Sequence, residues 1–204
     1  MVYYAVAKGR TVGIFNTWAE CNDSVKGFKN ALYRKTETRE EADAFILPDI
    51  PFEPAYYVYT DGSCIHNGKK NASAGIGIFF GLNDPRNVSK TIEGKQTNNT
   101  AELSALIEVY AILEEDILKG IPIAIVSDSE YAIRCASSYG LKCESQGWPD
   151  VPNRILVQRA YSLYRDKPNV HFLHVKAHTG KSDIHSVGNA YADQLAGEAS
   201  GQVS

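Results

Sequence analysis

Apolar and polar positions alternate in short runs at the start of the chain and lengthen into broader periods further on. Tyr3 to Ala7 and Val12 to Asn16 read as two short strands around a turn at Lys8-Gly9-Arg10-Thr11. Thr17-Trp18-Ala19-Glu20 has the Ser/Thr-x-x-Glu form of a capping box and predicts a helix start. Leu32 to Thr36 reads as a third strand, and Thr38-Arg39-Glu40-Glu41 as a second capping box that opens a helix with Ala42, Ala44, Phe45 and Ile46. The pattern is a small β-β-α-β-α unit over residues 1–47. Residues 48–54, Pro48-Asp49-Ile50-Pro51-Phe52-Glu53-Pro54, hold three prolines in seven positions, which cannot continue a helix and favour an extended spacer. At about 3 Å per residue this tether reaches only about 20 Å.

A second pattern fills 55–204. Strand-like runs at 56–60, 74–81 and 88–95 are followed by a helix from about Thr100 to Lys119, with Leu103, Leu106, Ile107, Tyr110 and Leu113 on one face. Ile121 to Val126 is continuously apolar, as a central buried strand should be. Further helices fit 129–137, 153–166 and 186–199, with a strand at 170–175. The order βββαβααβα predicts an α/β sheet with helices packed on its faces.

Composition changes this picture little. With 44% hydrophobic and 22% charged residues the chain reads as soluble and globular. No apolar run approaches the roughly 18 residues of a membrane span, and Met1 to Arg10 lacks the layout of a signal peptide. A soluble, intracellular address is expected, its compartment left open. Cys21, Cys64, Cys135 and Cys143 form no close Cys-x-x-Cys pair, and a chain of 204 residues needs no stapling, so all four read as free thiols. The net charge of −3 divides unevenly. Residues 1–47 carry seven basic against six acidic groups, and 48–204 carry fourteen against eighteen. Bound divalent cations would bring the second part near neutrality, so the charge neither excludes a nucleic-acid partner nor argues for one.

The acids carry the candidate chemistry. Asp61 lies just past an apolar strand and precedes Gly62-Ser63, and Asp128 ends the buried run. Two adjacent strands ending in Asp would set two carboxylates at one sheet edge. Glu102 falls in the first turn of the long helix, and Asp193 lies in the last helix between Ala192 and Leu195. Singly, Asp128-Ser129 could be a helix cap and Glu102 a dipole partner. Together, four acids at a sheet edge repel unless cations neutralise them. Their hard oxygens suit Mg²⁺ or Mn²⁺, and a metal pair about 4 Å apart clamps the attacking water and the leaving oxygen of a phosphodiester.

Thr60-Asp61-Gly62-Ser63, Thr97-Asn98-Asn99-Thr100-Ala101-Glu102, Val126-Ser127-Asp128-Ser129 and His178-Thr179-Gly180 with Gly188-Asn189-Ala190-Tyr191-Ala192-Asp193 resemble, in order and spacing, the type 1 ribonuclease H family. Tyr3-Tyr4-Ala5-Val6, Gly13-Ile14-Phe15, Thr17-Trp18 and Tyr33-Arg34-Lys35 resemble the hybrid-binding domain of eukaryotic ribonucleases H, shared with caulimovirus viroplasmin. The resemblance implies a five-stranded mixed sheet flanked by helices, preceded by a small ββαβα domain. It implies Asp61, Glu102, Asp128 and Asp193 as ligands of two Mg²⁺ ions, with Mn²⁺ as a substitute. His178 would be the proton shuttle, and its Thr179-Gly180-Lys181-Ser182 surroundings suit a mobile loop. RNA–DNA hybrid would be the substrate, cut in its RNA strand to leave 5′-phosphate and 3′-hydroxyl ends.

Asn67, Asn98, Glu130 and backbone near Cys64 fall where the family reads the 2′-hydroxyl, Glu130 departing in being acidic. Lys95, Thr97 and Asn153 match residues that hold a DNA-strand phosphate. The stretch 137–153, where bacterial relatives often carry a basic protrusion, has Lys142 and Trp148 but little positive charge. Grip is therefore expected from the N-terminal domain. There Trp18, Tyr33 and the signature residue Tyr4 offer aromatic surface, and Lys29, Arg34 and Lys35 meet phosphates. That domain could also take double-stranded RNA. His66, His171, His174 and His185 read as ordinary surface or strand residues, and oligomeric state is not legible. The rivals are a catalytically idle hybrid or double-stranded RNA binder of viroplasmin type, which should have lost an acid, and a DNA nuclease or polynucleotidyl transferase on the same fold.

Overall fold

In the N-terminal stretch the alternating runs become three antiparallel strands, β1 (Tyr3–Lys8), β2 (Gly13–Phe15) and β3 (Leu32–Thr36), in the order β2-β1-β3. Helices α1 (Trp18–Val25) and α2 (Arg39–Ile46) complete the set. Both capping boxes form: Glu20 N donates to Thr17 Oγ1 at 3.3 Å and Glu41 N to Thr38 Oγ1 at 3.2 Å, while Glu20 and Glu41 accept from the backbone N–H of Thr17 and Thr38. Ala5, Val6, Cys21 and Val25 are buried. Arg10 closes the far end of α1 by donating from Nη1 to the carbonyls of Asp23 and Lys26 at 3.0 and 2.7 Å. This computed structural model describes residues 2–46, 52–177 and 179–202. Residues 48–51 of the expected spacer and the expected shuttle His178 lie outside the described residues. The chain divides into two compact units, Met1–Phe52 and Glu53–Ser204.

The second unit holds five strands in the order β6-β5-β4-β7-β8: β4 (Tyr56–Ile65), β5 (Ser73–Phe79), β6 (Val88–Thr91), β7 (Ile123–Ser127) and β8 (Val170–His174). Pairing is antiparallel from β4 through β5 to β6 and parallel from β4 through β7 to β8, a mixed sheet. Its helices are α3 (Asn98–Leu118), α4 (Glu130–Ala136), α5 (Ser138–Ser145), α6 (Arg154–Tyr164) and α7 (Ile184–Ser200). Two expectations need correction. Strand β4 does not stop at residue 60 but pairs with β5 as far as Ile65, so Asp61 lies within the strand, opposite Gly77. Helix α5 occupies a stretch with no predicted element. Its Gly140 reads as a helix breaker, yet a Cβ there would collide with the Cys135 carbonyl and the Tyr161 ring, so close packing requires it.

Strand alternation sorts the core. Val58, Ile76, Ile78, Ile123 and Ile125 share a buried cluster with Leu103, Leu106, Val109 and Leu113 of α3 and Val157 of α6. Tyr59, Phe79 and Val126, on the opposite face, pack with Ala192 of α7. All four cysteines are free, and three are buried. No helix among the described residues is long and apolar enough to cross a membrane.

Glycines set how closely the helices approach. A Cβ on Gly75 or Gly77 would run into α7 at Ala199 or Ala192, so β5 and α7 meet backbone to backbone. A Cβ on Gly62 would meet the amide of Glu102, so the first turn of α3 lies directly against β4. Gly77→Ala should therefore lower stability by about 3 kcal/mol through forced separation of rigid layers. Gly197→Ala, whose Cβ would meet only the flexible Gln202 side chain at 3.3 Å, should be neutral or gain up to about 1 kcal/mol. Urea unfolding of both variants measures the contrast, and equal midpoints would refute the packing account.

Candidate active site and nucleic-acid-binding surface

Three elements bring the first three acids together. Thr60 of β4 pairs with Ser127 of β7 in parallel register, so Asp61 and Asp128 each come next along neighbouring strands. Glycine at 62 admits the start of α3, which carries Glu102. Ligand oxygens of Asp61, Glu102 and Asp128 all lie within 4.8 Å of one another, a group that could hold a metal ion. Asp61 and Glu102 are 6% and 5% exposed, which removes most of the water that would otherwise shield them. The fourth expected acid, half-buried Asp193 on α7, lies outside that group of three but within hydrogen-bonding reach of the Asp61 carboxyl.

Crowding shows in the proton affinities. Burial first, then the charges of Asp128 and Asp193, push the Asp61 carboxyl up to about 7. The Gly62 N–H, donating to it, works the other way, and the hydrogen bond with Asp193 adds to the rise. Glu102 is held well above the usual carboxylate range by burial, then by Asp61 and Asp128. Its Oε2 is buried and accepts no hydrogen bond. A carboxylate oxygen buried among other acids with no hydrogen-bond donor suits a hard cation in charge and donor type.

Two neighbours of Asp128 went unnoticed in the sequence. Asn189 of α7, 4% exposed, donates from Nδ2 to Asp128 Oδ2 at 2.8 Å. His174, expected to be an ordinary strand residue, ends β8 with Nε2 at 3.1 Å from the Asp128 carbonyl oxygen, which can only accept, so the ring carries its proton on Nε2. Asn189 was traceable, standing four residues before Asp193 and hence on one helix face with it. His174 was not, because its partner is fixed only by the β7–β8 pairing. A cleft of about 460 Å³ runs between Lys176, Lys181 and α7, lined also by Asn189 and Asp193. Beside it Thr179 Oγ1 lies 2.8 Å from Ser186 Oγ, which donates to Asp183 Oδ2 at 2.8 Å.

The expected substrate contacts are scattered over several elements. Asn67 is exposed in the turn after β4, and Asn98 is exposed in the first turn of α3. Thr97 spends its hydroxyl capping α3, accepting from Thr100 N at 3.2 Å. Lys95 is exposed in a loop that Gln96 pins, its amide bonding to Ala74, Ile92 and Gly94. Asn153, in left-handed conformation at φ 57°, donates to the Tyr131 hydroxyl at 3.1 Å. Glu130 is exposed and ion-paired with Arg134 at 3.5 Å. Cys64 is half-buried, its thiol directed at the Ile65 carbonyl.

In the N-terminal unit Trp18 is 47% and Tyr33 46% exposed, unusual for large aromatics. The Trp18 ring lies 5.8 Å from both Tyr4 and Tyr33, which forms a continuous aromatic strip. Lys29, Arg34 and Lys35 are exposed, and Arg34 lies over the Phe45 ring at 4.9 Å.

Comparison with known proteins follows the same division. The RNase H family model matches residues 53–201, and the model described as the ribonuclease H1 N-terminal domain matches residues 2–46. Ribonuclease H of Schizosaccharomyces pombe is 30% identical over 95% of this chain and 95% of its own length. Ribonuclease H1 of Mus musculus is 26% identical over 98% of this chain and 90% of its own. The foamy viral protease-reverse transcriptase in complex with RNA/DNA hybrid superposes with a TM-score of 0.59 at 26% identity, covering 74% of this chain and 21% of that one. A likeness this broad, with the family model spanning most of the second unit and a relative matched nearly end to end, means that the chain belongs to the ribonuclease H family.

Proposed function

We propose that this chain is an endoribonuclease that hydrolyses the RNA strand of RNA–DNA hybrids with two divalent cations, Mg²⁺ in the first place and Mn²⁺ as a substitute. The convergence of Asp61, Glu102 and Asp128 within 4.8 Å carries the proposal. Relatives named ribonuclease H, and the foamy viral enzyme bound to RNA/DNA hybrid, support the substrate. Asp61, Glu102, Asp128 and Asp193 would hold the cations. When bound, such ions supply a nucleophile at neutral pH and charge stabilisation for the leaving 3′ oxygen. His178 moves a proton at the departing side, a role that suits an imidazole near neutrality.

Recognition divides between the two parts. Asn67, Asn98, Glu130 and the backbone at Cys64 read the 2′-hydroxyl, which a DNA strand lacks. Lys95, Thr97 and Asn153 hold a phosphate of the DNA strand. Residues 1–47 act as a hybrid-binding domain, tethered through 48–54 to a catalytic domain of 55–204. On the N-terminal domain Trp18, Tyr4 and Tyr33 stack against the substrate while Lys29, Arg34 and Lys35 meet phosphates. The same surface would accept double-stranded RNA, whose minor groove also displays 2′-hydroxyls.

End-labelled hybrid with Mg²⁺ should be cut in its RNA strand alone, leaving 5′-phosphate ends, while duplex DNA and duplex RNA stay intact. Asp128→Asn should cost more than the roughly 100-fold that loss of a metal's supporting contact costs. Tight hybrid binding with no cleavage by the parent chain would instead identify a binding protein. Trp18→Ala should weaken hybrid binding by about 1–3 kcal/mol, read by titration in the Asp128→Asn background, and leave the rate at saturating hybrid unchanged in the otherwise wild-type chain.

Stability should also respond to pH and metal. The Asp61 carboxyl titrates near 7 in the folded chain and near the ordinary carboxylate value when unfolded. Between those values the folded state keeps a proton that the unfolded state has lost. Metal-free stability therefore falls as pH rises from about 4 to 7, by up to about 1.4 kcal/mol per unit for this one group. Mg²⁺ should raise the melting temperature more at pH 8 than at pH 5, because it replaces the lost proton. An equal shift at both values, in calorimetric scans, would contradict the site.

A further inference from the structure

Among the described residues three buried side-chain oxygens lack a hydrogen-bond partner: Thr60 Oγ1, Glu102 Oε2 and Asn189 Oδ1. Glu102 Oε2 belongs to the acidic cluster. Asn189 is attached to that cluster by its other end, since its Nδ2 donates to Asp128 Oδ2 at 2.8 Å. A carboxylate only accepts, so chemistry alone fixes which way the amide points: the nitrogen faces Asp128 and the oxygen faces away. Burying that oxygen without a donor has a cost, which the fold sustains so that the amine end meets the acid.

The position is restrictive in other ways. Asn189 is 4% exposed, follows Gly188, and stands four residues before Asp193 on α7. A Cβ on Gly188 would strike the Tyr59 ring, so α7 lies close against β4 at this turn and the amide has little freedom. On the other side of Asp128, His174 Nε2 donates to the backbone carbonyl at 3.1 Å. Asp128 is thus held at its main chain by β8 and at its carboxylate by α7. The holding group at the carboxylate is neutral. A Lys or Arg there would compete with a cation for the acids, and an Asp would add a further negative charge to an already crowded cluster.

We propose that Asn189 is a positioning residue for the reaction: its amide nitrogen holds Asp128 Oδ2 and so fixes the carboxylate in a pose whose other oxygen would be available to ligate a cation. This rests on reading the acidic cluster as the metal site. Contacts of this supporting kind are worth roughly 10–100-fold in metal affinity or activity.

The test uses the full chain with Asn189→Ala, which removes donor and acceptor, and Asn189→Asp, which keeps shape and acceptor but cannot donate when ionised. Mn²⁺ titration by calorimetry and hybrid cleavage would be measured for each, beside melting curves without metal. Asn189→Ala should bind Mn²⁺ roughly 10–100-fold more weakly. Both variants should lose kcat with KM for the hybrid unchanged. Parent-like kcat in folded Asn189→Ala would sink the proposal, since the donor is then dispensable. A lower melting temperature with unchanged Mn²⁺ affinity in Asn189→Ala would also overturn it, reducing the amide to packing. Failure of the parent chain itself to bind Mn²⁺ would show instead that the underlying metal-site reading is wrong, and the positioning role would fall with it.

Discussion

Mutual repulsion among carboxylates, held together in a place that water barely reaches, is the constraint on which the second unit depends. Asp61 and Glu102 are almost wholly buried, and Asp128 stands within one ligand shell of both. Nothing in their own chemistry favours that arrangement. Surrounding packing imposes it: a parallel strand pair that sets Asp61 beside Asp128, and a glycine at 62 that lets the first turn of α3 press against β4. The large apolar cluster beneath the sheet, built from β4, β5, β7, α3 and α6, holds these elements against the repulsion. Fold and site are therefore opposed locally and joined globally.

Much of this was readable from residue patterns because the patterns were doubly constrained. Both N-terminal helices begin at a Thr-x-x-Glu sequence whose reciprocal hydrogen bonds are made, since that motif satisfies backbone donors locally and needs no distant partner. The five strands and the long helix followed from apolar runs and periodicity, most directly in β5 and β7, which are buried along nearly their whole length. Strand β4 was read too short because Thr60-Asp61-Gly62-Ser63 looks like a turn. Its Asp61 joins the acidic cluster and its glycine admits the helix, so composition there reports tertiary contacts more than backbone form. Helix α5 was missed for a related reason: Gly140 is a breaker by propensity, yet its lack of a side chain is what fits it against Cys135 and Tyr161.

Among the candidate site residues, Asp61, Glu102 and Asp128, which the fold brings together, stood out in sequence because acids in order with characteristic neighbours are hard to produce by accident. The groups that hold them were not. Asn189 and His174 act through single hydrogen bonds to Asp128 that span 61 and 46 positions of chain. Local sequence marks only that Asn189 shares a helix face with Asp193; the pairings themselves come from α7 packing on the sheet and from β8 joining beside β7. Arg10 is a similar case in the first unit: it reads only as part of a turn, yet its side chain reaches across to close the end of α1. A charge seen in sequence has several possible partners, and only tertiary placement selects among them.

The backbone-to-backbone contact of β5 with α7 has a wider consequence. Between Gly75 and Gly77 on one side and Ala192 and Ala199 on the other there is no side-chain cushion that could absorb a shift. The seam acts as a mechanical stop: it lets the helix neither sink nor slide, and it offers no slack for gradual adjustment. Substitutions along it cannot accumulate one at a time in small steps, as they can in a Leu-rich interface. At Gly77 the obstructing atoms are the backbone of α7 itself, so no exchange of helix side chains can compensate for one on the strand, and the helix that carries Asp193 is kept at a fixed height above the sheet.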